Sequence, residues 1–429
     1  MIDAWVIRDG YTIQFSRGNR MQIRFFFAVL AFSTGGAAVA QPLSAEDSLE
    51  LRDGDRVVFL GNTFIERAQS YGYLETLLAV GGPRRDVTFR NLGWSADNVF
   101  GHSRAVFDRP SAGFGKLRKQ VVEAKPTVLV IGYGSNAAYA GKKGLDSFLE
   151  GYRRLLDALA GTGARIVLLS PIRLENKGPP LPNPGPQNAN LAVYVKAIGE
   201  LAAGRDYRYV NLFKALRAEG PGRALTDNGI HLNARGYRAA ARTIAAALGL
   251  DVEGVEVKLE ARGDAVRASS ARNAVVRELK GGAGGVSFSM TRSMLPGFPG
   301  GGDAAEVLSI GGLLPGAYAL RIDGVEVIKA TAATWKVGVA FDRGPDFDRV
   351  DKIRRLGVEK NFFYFHRYRP ANWPYIYGFR KHEQGNNAVE IPLFDPLIAE
   401  KEAEIARLRV PVARSYVLLP ASAEKGGSR

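Results

Sequence analysis

Between Arg56 and Leu250 the sequence alternates short β-branched and aliphatic runs with amphipathic stretches at helical spacing. No other feature restricts the fold so tightly. Strands are expected at Val57–Leu60, Val87–Asn91, Thr127–Ile131, Arg165–Leu169 and Tyr207–Leu212. Helices are expected at Phe64–Val80, Phe114–Ala124, Leu145–Ala160, Asn188–Ala203 and Ala234–Leu248. Short apolar strands spaced by helices make a parallel sheet covered on both faces. Right-handed crossovers then bring every strand C-terminus to one rim, where ligands of open α/β sheets bind.

Four segments land on that rim. Gly61-Asn62-Thr63 follows the first strand and opens a helix, whose unpaired N–H groups favour developing negative charge. Asn91-Leu92-Gly93-Trp94-Ser95 follows the second strand, and Gly132-Tyr133-Gly134-Ser135-Asn136 the third. Asp227-Asn228-Gly229-Ile230-His231 precedes the last helix. A hydroxyl, a glycine N–H, an amide donor and an imidazole are the parts that acyl transfer needs.

These four blocks, in this order, resemble the SGNH (GDSL-type) hydrolases over roughly residues 53–250. The resemblance implies a three-layer α/β/α, flavodoxin-like fold and hydrolysis of esters, with many members removing acyl groups from carbohydrates or lipids. Position by position, Thr63 stands where the family has its serine nucleophile. Gly93 and Asn136 match the oxyanion-hole residues of the second and third blocks, and His231 matches the base. The whole chain also resembles multidomain SGNH-type proteins of planctomycete-like bacteria, which carry a β insertion and a segment like Lys381–Asn387.

Two departures stand out. The first block reads Gly-Asn-Thr where the family has Gly-Asp-Ser, and Asn228 stands three residues before His231 where the family has Asp. Threonine keeps the hydroxyl, but its methyl stiffens χ1 and crowds the attack. Asparagine can orient an imidazole through its carbonyl oxygen but does not offset imidazolium charge; Asp227, one residue further back, is the alternative partner. Each residue also has a plainer reading. Thr63 suits a helix N-cap, Gly93 and Asn136 suit turns, and His231 suits a capping or buried role. Ser95 and Ser135 are alternative hydroxyls outside any nucleophile elbow, and His102 is a loop histidine.

The flanks are read from composition. Met21-Gln22-Ile23-Arg24, the apolar run Phe25–Phe32 and Ala38-Val39-Ala40 have the order of a secretory leader within residues 1–40. A periplasmic or extracellular location follows, with no integral membrane span after processing. The hydrolase-like domain is placed at 51–250 and a small antiparallel β module at 251–340. The module includes a hairpin over 314–327 that turns at Asp323-Gly324. A C-terminal aromatic and helical segment is placed at 341–412 and a loose tail at 413–429. The aromatic run Phe362–Phe379, with Arg367, Arg369 and Arg380, reads as packing or as a sugar- or anion-binding wall.

There is no cysteine among the 429 residues, which excludes disulfides and thiol chemistry. The net charge of +15 is scattered rather than striped; it fits a solvated basic surface or attraction to anionic envelope polymers, and no nucleic-acid motif accompanies it. No zinc-helix spacing or nucleotide loop is present, so neither a metal nor a cofactor is expected. The expected function is hydrolysis of an acylated carbohydrate or a small ester. The alternative is a catalytically impaired SGNH-fold module that binds glycans or serves a structural role.

Overall fold

The computed structural model describes residues 6–8, 11–13, 49–83, 85–218, 220, 222–250, 254–300, 306–383 and 387–421. Of the expected leader, only two paired antiparallel strands, Val6–Arg8 and Tyr11–Ile13, are described. The rest of the leader, and residues 384–386 of Lys381–Asn387, lie outside the described residues.

The α/β region runs β1 (Arg56–Gly61), α1 (Thr63–Tyr71), α2 (Tyr73–Val80), β2 (Thr88–Gly93), α3 (Ala112–Ala124) and β3 (Val128–Gly132). It continues through α4 (Leu145–Leu159), β4 (Arg165–Leu169), α5 (Gly185–Ala203), β5 (Arg208–Val210) and α6 (Ala234–Ala247). All five strands are parallel, in the order β2-β1-β3-β4-β5. This is the flavodoxin-like winding. The strand periodicity sorts the core into two layers. Val57, Phe59, Val128 and Val130 pack with α2 and α6, while Val58, Leu60, Leu129 and Ile131 pack with α3, α4 and α5. Each fully buried side chain of this kind contributes about 1.5–3 kcal/mol.

The helix expected over Phe64–Val80 is two helices, broken at Gly72, whose φ is 72°. Only glycine takes that turn without strain, and a Cβ there would lie 2.9 Å from the Arg354 carbonyl of the C-terminal layer.

The next region is a β-sandwich of β6 (Glu256–Arg262), β7 (Ala265–Arg272), β8 (Ala274–Gly282), β9 (Gly285–Arg292), β10 (Glu306–Gly311), β11 (Ala317–Ile322), β12 (Val325–Thr331) and β13 (Val339–Phe341). Helices α7 (Pro345–Tyr368) and α8 (Phe394–Leu408) follow, then a last strand, β14 (Arg414–Pro420). The two sheets are β8-β9-β14-β11-β12 and β13-β10-β6-β7. Two expectations are corrected here. The β6–β10 pair is parallel, so the module is not wholly antiparallel. The expected loose tail holds β14, the middle strand of the five-stranded sheet. The C-terminal segment packs on the α/β region, as the packing reading of its aromatic run has it: Val350, Ile353, Tyr364 and Ile398 complete the two cores. The hairpin turn does fall at Asp323-Gly324, with φ of 50° and 83°.

Among the described residues, no helix is long and apolar enough to cross a membrane.

Candidate active site

At the C-terminal rim, Gly61 sits in register with Gly93 on one side and Gly132 on the other. A Cβ on Gly93 would stand 2.1 Å from the Glu66 backbone nitrogen. The bare rim therefore lets α1 begin directly on the sheet edge. Asn62, not Thr63, caps α1: its side chain accepts from the Phe64 N–H at 3.3 Å. The cap role considered for Thr63 is thus filled by its neighbour, and the Thr63 hydroxyl is turned to the rim.

The loop after β2 supplies the partner of that hydroxyl. The Ala96 N–H donates to Thr63 Oγ1 at 3.2 Å, with Ala96 held at a φ of 61°. Gly93 is placed differently from its expected role, because its N–H donates to Asn91 Oδ1 at 2.8 Å. Below the loop, Asp97 is buried with Arg104 at 2.7 Å and also accepts from the Tyr133 hydroxyl at 3.0 Å. Asn136 donates to the Asp97 carbonyl at 3.4 Å and reaches the same cavity as Thr63.

His231 lines that cavity too. Asn228 Oδ1 accepts from the His231 N–H at 3.0 Å and the Ile230 N–H at 3.2 Å. Its amide nitrogen lies 3.1 Å from His231 Nδ1. An amide nitrogen only donates, so Nδ1 is the acceptor and the neutral ring carries its proton on Nε2. That assignment follows from the hydrogen-bond network. Asp227 is not on the ring; its carboxylate stands 3.8 Å from Arg67. Burial, and then the Arg67 charge, hold the His231 pKa below its ordinary value against the opposing charge of Asp227.

The cavity is about 100 Å³, with Ile172, Leu174, Leu191 and Ile230 as apolar walls. Ser135 lines it, but no hydrogen bond ties Ser135 to the imidazole among those described. Exposed Ser95 is held instead through its N–H by Glu66. His102 lies in an adjoining recess that shares Asn136 with the cavity, stacked on Phe100 and 3.1 Å from the Asn98 amide nitrogen. Among the described residues, no cluster of His, Asp and Glu is arranged to hold a metal.

The C-terminal layer clamps the Ala96 loop. The Tyr368 hydroxyl donates to the Gly93 carbonyl at 2.7 Å. Arg369 stacks 3.9 Å from the Trp94 ring and pairs at 3.3 Å with Glu66, whose other oxygen accepts the Ser95 N–H. Ala96, Glu66 and Arg369 were not expected at the site. A backbone N–H has no side-chain signature, and Arg369 is remote in sequence.

Residues 60–239 match the GDSL-like lipase/acylhydrolase family. These residues form a GDSL-like, or SGNH, hydrolase domain. No curated protein matches the chain in sequence. A solved structure of BT4096, a gut microbial diltiazem-metabolizing enzyme, is 16% identical with a TM-score of 0.67. It covers 87% of this chain and 99% of its own, so the common fold extends well beyond the SGNH domain. An acetylxylan esterase, Axe2 from Geobacillus stearothermophilus, is 18% identical over 47% of this chain and 97% of its own, with a TM-score of 0.38. A candidate GDSL-like lipase from Parabacteroides merdae is 19% identical over 48% and 100%, with a TM-score of 0.40.

Proposed function

We propose that the chain is an exported ester hydrolase with weak intrinsic activity, acting on a small acyl ester such as one carried by an envelope carbohydrate. The observation behind this reading is the shared cavity. One SGNH-family pocket collects the Thr63 hydroxyl, the Asn136 amide and the His231 ring, and the Ala96 N–H points at that hydroxyl. In the first half-reaction His231 acts from its minor tautomer, with the ring proton on Nδ1: Thr63 Oγ1 attacks the ester carbonyl while Nε2 takes the hydroxyl proton. The Ala96 N–H and the Asn136 amide face the oxyanion. Collapse of the adduct breaks the alkoxy bond, and the departing alcohol receives the proton from the imidazolium. Water then attacks the acyl-threonine by the same route and releases the carboxylic acid.

Weak activity follows from two residues. The Thr63 methyl restricts the hydroxyl, and a displacement of about 1 Å costs on the order of a hundredfold. The Asn228 amide places the ring proton on Nε2, the nitrogen that must accept one. The corresponding Asp→Asn change in a serine triad costs about 10⁴-fold.

That amide contact also supports a second reading, in which the cleft binds an ester or glycan without turnover. Kinetics with p-nitrophenyl acetate separate the two. Under the hydrolase reading, slow turnover is lost in His231→Ala and rises in Thr63→Ser. Equal rates in the parent and His231→Ala would leave only the binding reading. Export belongs to the same proposal, resting on the leader-like order of residues 21–40; a mature N-terminus upstream of Phe25 would refute it.

A further inference from the structure

A second concavity, sharing no residue with the Thr63 cavity, lies between α3, the starts of β1 and β2, and the C-terminal layer. It is a groove of about 850 Å³. Its cations are Arg56, Arg90, Lys116, Lys119, Lys125 and Arg367, against the carboxylates Glu123, Asp395 and Glu402. Lys116 is paired with Asp108 at 2.6 Å, outside the groove lining, and the three carboxylates do not quench the rest. Glu402 takes Arg90 through both oxygens, and Asp395 takes Arg367 at 3.0 Å. Glu123 reaches Lys119 only at 3.8 Å, in an exposed pair worth little in water. Among the described residues Lys125 has no acidic partner, and half-buried Arg56 makes one side-chain hydrogen bond, from Nε to Thr88 Oγ1 at 3.3 Å.

Aromatic walls complete the groove. Trp373 is fixed by Lys116, whose ammonium stands 3.7 Å from the ring centroid, and Tyr377 lies exposed beside it. Arg90 lies 5.3 Å from the Tyr364 ring. Burial pushes the Tyr364 phenol up to about 12, and the charges of Arg90, Arg367 and Arg56 oppose that rise. Arg367 and Arg56 line the same groove as that phenol.

We propose that this groove binds an acidic sugar, a pyranose ring bearing a carboxylate or sulfate within a polysaccharide. The mixture of groups selects this class. The uncommitted cations meet the anion. Flat aromatic surfaces suit the apolar face of a ring. The three carboxylates accept hydrogen bonds from sugar hydroxyls, which a phosphodiester backbone does not offer. The proposal is independent of turnover at Thr63: the groove would hold the polymer while the cleft, if active, works on an ester elsewhere along it.

Calorimetric titration of the full chain tests this with four probes: tetragalacturonate, a sulfated chondroitin tetrasaccharide, neutral galactotetraose and a single-stranded DNA oligonucleotide. The expected result is binding of at least one acidic saccharide, with the neutral one weaker by about tenfold or more, a difference of one decade in Kd. Which acidic saccharide binds tells carboxylate from sulfate. Lys125→Glu with Arg56→Gln should weaken that binding by about tenfold, as expected for losing charge-assisted contacts. Lys119→Glu, whose parent side chain is 75% exposed, gives a weakening in the same direction if the double variant fails to fold. Thr63→Ala should leave the affinity unchanged. Four results would each overturn the proposal: no acidic saccharide binding, equal binding of the neutral saccharide, tighter binding of DNA, or loss of saccharide binding in Thr63→Ala.

Discussion

With Asn228 Oδ1 occupied by two backbone N–H groups, only its amide nitrogen is left to meet the His231 ring. Flipping the amide would break both of those bonds, so the side chain has no inexpensive way to accept a proton from Nδ1. An aspartate at 228 keeps an oxygen for the backbone and offers the other to Nδ1–H, which frees Nε2 as the base. Asn228→Asp should therefore raise kcat/KM for p-nitrophenyl acetate by about a hundredfold or more, a part of the loss seen for the reverse change in a serine triad. An unchanged rate would remove the tautomer argument. The pH profile offers a second check. A base works in its neutral form, and His231 is held below its ordinary 6.5 by burial and by Arg67, so the acid limb should lie below that value. Arg67→Met removes a cation that disfavours the imidazolium and leaves Asp227, which favours it. The limb should then move upward; a limb that stays or falls would contradict the assigned cause.

At the scale of the element, the loop from Trp94 to Asp97 is held by parts that come from far along the chain. Two guanidinium groups stand over the Trp94 ring, Arg104 at 5.4 Å and Arg369 at 3.9 Å. Glu66 joins Arg369 to the Ser95 N–H, one residue before the N–H that faces Thr63. Arg369→Ala, made in the Asn228→Asp background, should lower kcat by about tenfold while KM changes little, because the oxyanion donor would be less well placed. Arg369→Lys should not rescue it, since an ammonium neither stacks as a plane nor forks to a carboxylate. A matched fall in kcat and in folded protein would point to stability instead. The sequence shows the parallel sheet clearly, because period-two and helical patterns are local. It shows the blocks around Thr63, Asn136 and His231 for the same reason. Ala96 is hidden, since a left-handed backbone at alanine leaves no compositional trace. Gly93 is visible as a glycine, but the pattern does not tell an oxyanion donor from a residue whose missing Cβ admits α1.

Across the whole molecule, the chain returns in its last strand to a module it left about seventy residues earlier, at Phe341. β14 inserts between β9 and β11, pairing antiparallel with both. Its inward residues Tyr416 and Leu418 are 1% and 0% exposed. Beside them a buried ionic cluster ties the sandwich to the first turn of α7. Arg292 pairs with Glu306 and, at 3.0 Å, with Asp346, while Arg414 reaches Asp346 and Asp323 at 2.8 Å. Ending the chain at Ala413 would divide the five-stranded sheet into two hairpins with open edges, and would leave Asp346 with one arginine fewer. Losing one partner of a buried pair costs about 3–5 kcal/mol, and the two emptied core positions add about 2–5 kcal/mol each. Such a sum approaches the whole stability of an ordinary domain, about 5–15 kcal/mol. The truncated chain should lose the cooperative unfolding of its sandwich, become protease-sensitive near β9 and β11, and aggregate. Urea denaturation followed by circular dichroism, with limited proteolysis, checks this. A midpoint equal to that of the full chain would show that β14 is dispensable. The milder variant Arg414→Gln keeps the strand and removes only the charge, so its smaller loss separates the ionic contribution from that of the strand itself.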